Sequence, residues 1–93
     1  MTYLKIYWKH SFPDEPVIIY SELNENREEI RKVEVYTNER MGYAWKSISM
    51  MGAYLSESEI PEISEINKDV QFQGIEIRRE EFEMIWEKAT QIQ

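Results

Sequence analysis

Along this chain the hydrophobic period changes from two residues to 3.6, and that change restricts the fold more than any other feature. From Tyr3 to His10 the residues alternate. Leu4, Ile6 and Trp8 are directed one way and Tyr3, Lys5, Tyr7 and Lys9 the other, the pattern of a strand with one buried face. From Arg79 onward, Phe82, Ile85, Trp86 and Ala89 fall at i, i+3, i+4 and i+7, the spacing of a helix laid against a core. A sheet with one apolar face and a helix with one apolar stripe can each bury that surface on the other. The expected fold class is therefore α+β. Trp86 is expected at the centre of the contact, against Leu4, Ile6, Val33 or Val35, with Glu83 exposed on the opposite side of the helix.

Between these ends the chain reads as further strands. Ser11 to Asp14 make a turn shaped by Pro13, and Pro16 biases Glu15 away from the helical region. Val17-Ile18-Ile19-Tyr20 is apolar on both faces, the mark of a central strand. The polar break Leu23–Arg27 joins it to an alternating segment from Ile30 to Thr37. A hairpin centred between Glu25 and Asn26 would set Glu22 opposite Glu29 and Tyr20 opposite Arg31, leaving Arg31 diagonal to Glu22. Asn38 to Gly42 form the next turn, and Tyr43 to Met50 a fourth strand on which Tyr43 and Trp45 share a face. Ser58 to Ile66 predicts one short helix with Pro61 in its first turn. Gln71 to Ile77 is either an extra strand or an extended connection. The expectation is one domain over residues 1–93: an antiparallel meander of about four to five strands, a short helix, and a C-terminal helix packed on one face.

Composition narrows the function classes. A chain of 93 residues, 42% of them hydrophobic, is large enough for one core without staples, and with no cysteine it has no disulfide, thiolate nucleophile or Cys-ligated zinc. Nowhere do roughly 18 apolar residues run together, and the opening MTYLKIYWKHSF is broken by Lys5 and Lys9, so a soluble cytoplasmic protein that does not bind membranes is expected. The net charge of −7 is unevenly placed. Residues 1–46 carry seven Lys/Arg against eight Asp/Glu, and residues 47–93 four against ten, so the halves stand at −1 and −6. Such a field repels phosphate backbones and anionic lipid and steers a basic protein partner inward.

Three groups of residues are candidates for a site. His10, the sole histidine, could converge with Asp14 and Glu15 at one end of the sheet. A catalytic metal centre normally takes three protein ligands, no second histidine exists here, and neighbouring Asp14 and Glu15 point apart on extended chain, so no metal or cofactor is expected. Glu22 and Arg31 form an ion pair beside an aromatic. It is expected to be exposed and worth less than about 1 kcal/mol, and could offer a polar anchor to a partner. Tyr43 and Trp45 sit among Lys and Arg much as in a nucleic-acid stacking platform, but the interleaved Glu22, Glu28, Glu29, Glu34 and Glu39 cancel that field, and no nucleic-acid binding is expected. Exposed aromatics and arginine equally suit a protein–protein hot spot. Gly42, Gly52 and Gly74 are isolated, so no glycine-rich phosphate loop is present.

The segments WKHSFPDEPVIIYSELNENREEIRKVEVY, MGYA, IPEISEIN and EFEMIWEKA, taken together, resemble the bacterial family catalogued as domain of unknown function 6881. The resemblance extends over nearly the whole chain and is most specific from Trp8 to Glu34 and at Trp86-Glu87-Lys88. Members of that family often carry an Asp-Gly turn near Asn38, where this chain has Asn38-Glu39. The family name implies no activity. Small, acidic, cysteine-free cytoplasmic proteins of this kind are similar to immunity proteins that cover the active site of a toxin. The leading expectation is a non-enzymatic protein that sequesters a basic protein partner through His10, Asp14, Glu15, Glu22, Arg31, Tyr43 and Trp45. The alternatives are a small enzyme or ligand-binding domain using His10, Asp14, Glu15 and Glu22, and a homodimer formed through an open sheet edge. As a binding protein the chain is expected to be a monomer or a weak homodimer.

Overall fold

In a computed structural model, which describes residues 1–92 of the protein, the alternating segments become an open six-stranded antiparallel sheet. The strands are β1 (Thr2–Trp8), β2 (Ile18–Leu23), β3 (Glu29–Val35), β4 (Met41–Trp45), β5 (Ile48–Met50) and β6 (Phe72–Ile77), in the order β5-β4-β3-β2-β1-β6. A four-residue helix, α1 (Ile63–Ile66), precedes β6, and α2 (Arg79–Ile92) follows it. The fold is α+β, as its two periodicities require.

The meander accounts for β1 to β5. The ambiguous segment at Gln71–Ile77 is a strand, and it pairs with β1 rather than with its sequence neighbour β5. The chain therefore crosses one face of the sheet from the β5 edge to the β6 edge. That strap is held by polar contacts: Arg27 donates through Nε to the Ile60 carbonyl at 2.7 Å, Lys32 Nζ donates to the Tyr54 carbonyl at 3.0 Å, and the Ser56 N–H donates to Glu29 Oε1 at 2.8 Å. Because the strap covers one face and α2 the other, β1 has two buried faces and not the one its alternation predicts. Leu4, Ile6 and Leu23 pack toward the strap with Ile60, Ile63, Ile66 and Phe72, whereas Tyr3, Tyr20, Val33, Ile77, Phe82 and Ala89 pack toward α2.

The stripe on α2 is as expected, but its centre is Phe82, fully buried, with its ring centroid 5.4 Å from that of Tyr3. Trp86 is only half-buried. It stacks on Phe82 and meets Tyr43 and Trp45 edge-on at 5.4 and 6.5 Å between centroids. Leu4 and Ile6 lie on the far side of the sheet and cannot reach it.

Three local predictions are also corrected. The fourth strand ends at Trp45, and a two-residue turn at Lys46-Ser47 returns the chain as β5. Met41 and Gly42 already belong to β4, and a Cβ on Gly42 would stand 2.8 Å from the Met50 carbonyl, which explains the glycine. The short helix begins at Ile63, not near Pro61, because Glu62 is still extended at φ −61°, ψ 153°.

The β2–β3 hairpin departs furthest from prediction. Leu23 pairs with Glu29 but Glu22 with Arg31, so Ile30 is an extra residue on β3 and forms a bulge. Tyr20 consequently faces Val33, not Arg31. Without the bulge Glu22 would sit opposite Glu29, two carboxylates in contact. With it, Glu29 turns to the strap face, where Ser21 Oγ donates to it at 2.6 Å and Lys32 pairs with it at 3.2 Å. Arg31 then lies directly opposite Glu22 on the α2 face.

Candidate functional site

The sequence-derived candidates fall into separate places. Glu22 and Arg31 form the polar centre of the sheet–α2 interface. Arg31 donates through Nε and Nη2 to both oxygens of Glu22 at 2.6 and 2.9 Å, and through Nη1 and Nη2 to both oxygens of Glu83 at 3.1 and 2.8 Å. Its guanidinium also lies 4.9 Å from the Phe82 ring centroid and 5.0 Å from that of Trp86. The Tyr3 hydroxyl donates to Glu22 Oε2 at 3.0 Å.

The expected exposed ion pair is thus a buried one, with Glu22 only 6% exposed, and Glu83 is a partner in it. Burial pushes the Glu22 carboxyl up, but hydrogen bonds and charge from Arg31 outweigh burial and hold it below the usual carboxylate range. The hydrogen bonds from Arg31 lower Glu83 as well. Arg31 itself is raised, chiefly by its hydrogen bonds to Glu22, and remains a cation throughout. With both donor edges of its guanidinium filled by carboxylates, Arg31 is a latch between β3 and α2. Tyr43 and Trp45 extend the same interface, where Trp86 covers them edge-on.

His10, Asp14 and Glu15 lie at the other end of the molecule. Glu22 pairs with Tyr3, and His10 follows the far end of β1, so seven residues of extended chain separate the two groups by about 23 Å. His10 Nδ1 accepts from the Phe12 N–H at 2.9 Å, which leaves the proton on Nε2 to bond the Pro16 carbonyl at 2.8 Å. The imidazole braces the loop between β1 and β2. Asp14 and Glu15 are exposed, and Asp14 lines a hollow of about 310 Å3 of mixed character with Pro13, Tyr36, Asn38, Arg40 and Met51. Among the described residues no cluster of three His, Cys, Asp or Glu could hold a metal ion.

The arrangement that sequence reasoning missed is a groove on the strap face. Ile6, Ile19, Ile66 and Phe72 line it, with Ile60 and Pro61 at the strap. It encloses about 320 Å3, near the lower bound of the roughly 300–1,000 Å3 usual for ligand sites, and it is open to solvent. Glu65 and Asp69 stand on its rim. Across the sheet Ile19 pairs with Glu34, whose carboxyl is raised first by burial, partly offset by Lys32, with Glu29 and Glu15 adding repulsion. An aromatic ladder continues from the floor: Phe72 to Trp8 at 5.8 Å, Trp8 to His10 at 4.4 Å and His10 to the exposed Phe12 at 5.4 Å between centroids. The signal available in the sequence was the set of isoleucines at 60, 63 and 66 beside Glu59, Glu62 and Glu65, a hydrophobic stripe edged with acid.

The fold defines the class of the protein: an α+β domain on an open antiparallel sheet, one face covered by a helix and the other half-covered by a strap. The chain belongs to the family described as Domain of unknown function (DUF6881), whose model matches residues 2–91. Neither a curated protein nor a solved structure matches it. Among the described residues no helix is long and apolar enough to cross a membrane.

Proposed function

We propose that the protein is a cytoplasmic binding protein that sequesters a basic protein partner, in the manner of an immunity protein covering a toxin. The observation that carries this reading is the exposure of its carboxylates. Every Asp and Glu after residue 46 except Glu83 is exposed, and among the described residues Glu57, Glu59, Glu76, Glu80 and Glu81 take no part in an ion pair. A surface of unpaired like charge costs self-repulsion and is relieved when a basic surface meets it. On this reading the protein acts as a monomer or a weak homodimer: of the two sheet edges, β5 is only three residues long and offers little to a second sheet. Co-expression with the product of the adjacent gene is the direct test. A complex is expected that survives purification at low ionic strength and dissociates as salt is raised. Failure to form it, or affinity indifferent to salt, would count against the proposal.

A further inference from the structure

Resting on the reading that the partner is basic, we propose that the strap-face groove receives an apolar side chain which the partner carries between lysine or arginine residues. The floor supplies only apolar contact through Ile6, Ile19, Ile66 and Phe72, so the anchor must be aliphatic or aromatic. The charged side chains that line the groove are both acidic. Glu65 and Asp69 occupy the rim, and among the described residues no cation lines the groove; Glu34, beside Ile19, is paired with Lys32 at 3.8 Å, and Arg27, which bonds the Ile60 and Pro61 carbonyls, is paired with Glu62 at 3.4 Å. The nearby Lys68 is held by Glu65 at 3.0 Å. A neutral apolar ligand would gain nothing from these carboxylates and an acidic segment would be repelled, whereas flanking lysines or arginines meet them on entry.

The β6 edge bears on how the segment docks. A peptide could instead add a strand to β6, which borders the groove and is an edge strand. Along the stretch of β6 from Phe72 to Gly74, beside the groove, that route is plugged. The Asn67 carboxamide accepts from the Gly74 N–H at 2.6 Å and donates to the Gly74 carbonyl at 3.1 Å, and the Phe72 N–H is taken by the Asp69 carbonyl at 3.0 Å. With these groups occupied, recognition proceeds by the side chain in the groove and not by main-chain pairing.

The test is a titration of the full-length protein, 13C-labelled at isoleucine δ1 methyls, with three model peptides: Lys-Lys-Leu-Phe-Lys-Lys, the same peptide with glutamates for lysines, and Lys-Lys-Ser-Ser-Lys-Lys. Saturable shifts are expected at Ile6, Ile19, Ile60 and Ile66 with the first peptide alone, and Ile48, Ile75 and Ile85 should stay still. The double variant Glu65→Gln, Asp69→Asn, which keeps the Asp69 side-chain bond to the Gln71 N–H, should weaken that binding at least several-fold. Shifts centred on Ile75 or Ile85, equal binding of the serine peptide, or an unaffected double variant would overturn the groove and leave the acidic-surface reading standing, whereas equal binding of the glutamate peptide would overturn both. No shift with either lysine peptide at millimolar concentration would overturn both.

Discussion

Replacing Arg31 by methionine tests the latch, because methionine keeps an unbranched apolar stem out to about the Nε position while removing the charge and the guanidinium that lies over Phe82 and Trp86. Glu22, whose side chain is 8% exposed, would then be buried as an uncompensated anion. Two unit charges about 4 Å apart at an effective dielectric of about 20 attract by about 4 kcal/mol, and breaking buried pairs costs about 3–5 kcal/mol. Glu83 matters less, since it is 39% exposed and stays solvated beside Arg79. Urea denaturation at pH 7, followed by tryptophan fluorescence, should therefore show Arg31→Met losing about 3–5 kcal/mol of the roughly 5–15 kcal/mol typical of a domain. The double variant Glu22→Gln, Arg31→Met should recover most of that loss, because no charge is left alone and the glutamine carbonyl still accepts from Tyr3. The pH dependence has a definite sign. Glu22 and Glu83 have folded pKa values below the unfolded value of about 4.3, so their stabilisation is present above that pH and is lost as pH falls through the folded values. The gap between wild type and Arg31→Met should accordingly narrow in acid. A loss below about 1 kcal/mol at pH 7, or a double variant as unstable as the sum of the two single changes, would refute the argument.

Phe82→Ala should cost about 3–5 kcal/mol by opening a cavity at the centre of the sheet–α2 core, and half-buried Trp86→Ala only about 2 kcal/mol; denaturation midpoints that reverse this order would return Trp86 to the centre. Glu39 holds φ +67° in the β3–β4 turn, where the Glu39 N–H bonds the Tyr36 carbonyl, so Glu39→Gly should stabilise by about 0.5–1 kcal/mol, read as a raised Tm. Burial raises the Glu34 carboxyl, so its ionised form opposes folding above the folded pKa, and that penalty disappears as pH falls below the unfolded value. Glu34→Gln should therefore stabilise at neutral pH and lose its advantage in acid, which a pH series of thermal melts would check.

The sequence by itself determined what depends on neighbours along the chain. Alternation located β1 and β3, an unbroken apolar run located β2, and the Phe82-Ile85-Trp86-Ala89 spacing located α2 and its apolar stripe, because period two and period 3.6 are properties of the backbone alone. The acidic half was also legible there. Tertiary structure decided which of two usable faces of β1 meets α2. Tyr3 and Leu4 are both apolar enough to be buried, and alternation cannot rank two faces that are each covered. It decided the register of β2 against β3, since the bulge at Ile30 is selected by contacts from α2 and the strap, which put Arg31 under Glu83 and Glu29 beside Ser56. It decided that β6 pairs with β1, some seventy residues away in sequence, and by carrying the strap across the sheet to do so it left the groove at Ile6, Ile19, Ile66 and Phe72. Each of these rests on pairing between distant segments, whose energies are set by what packs against what once the whole chain is folded, and no local period encodes that.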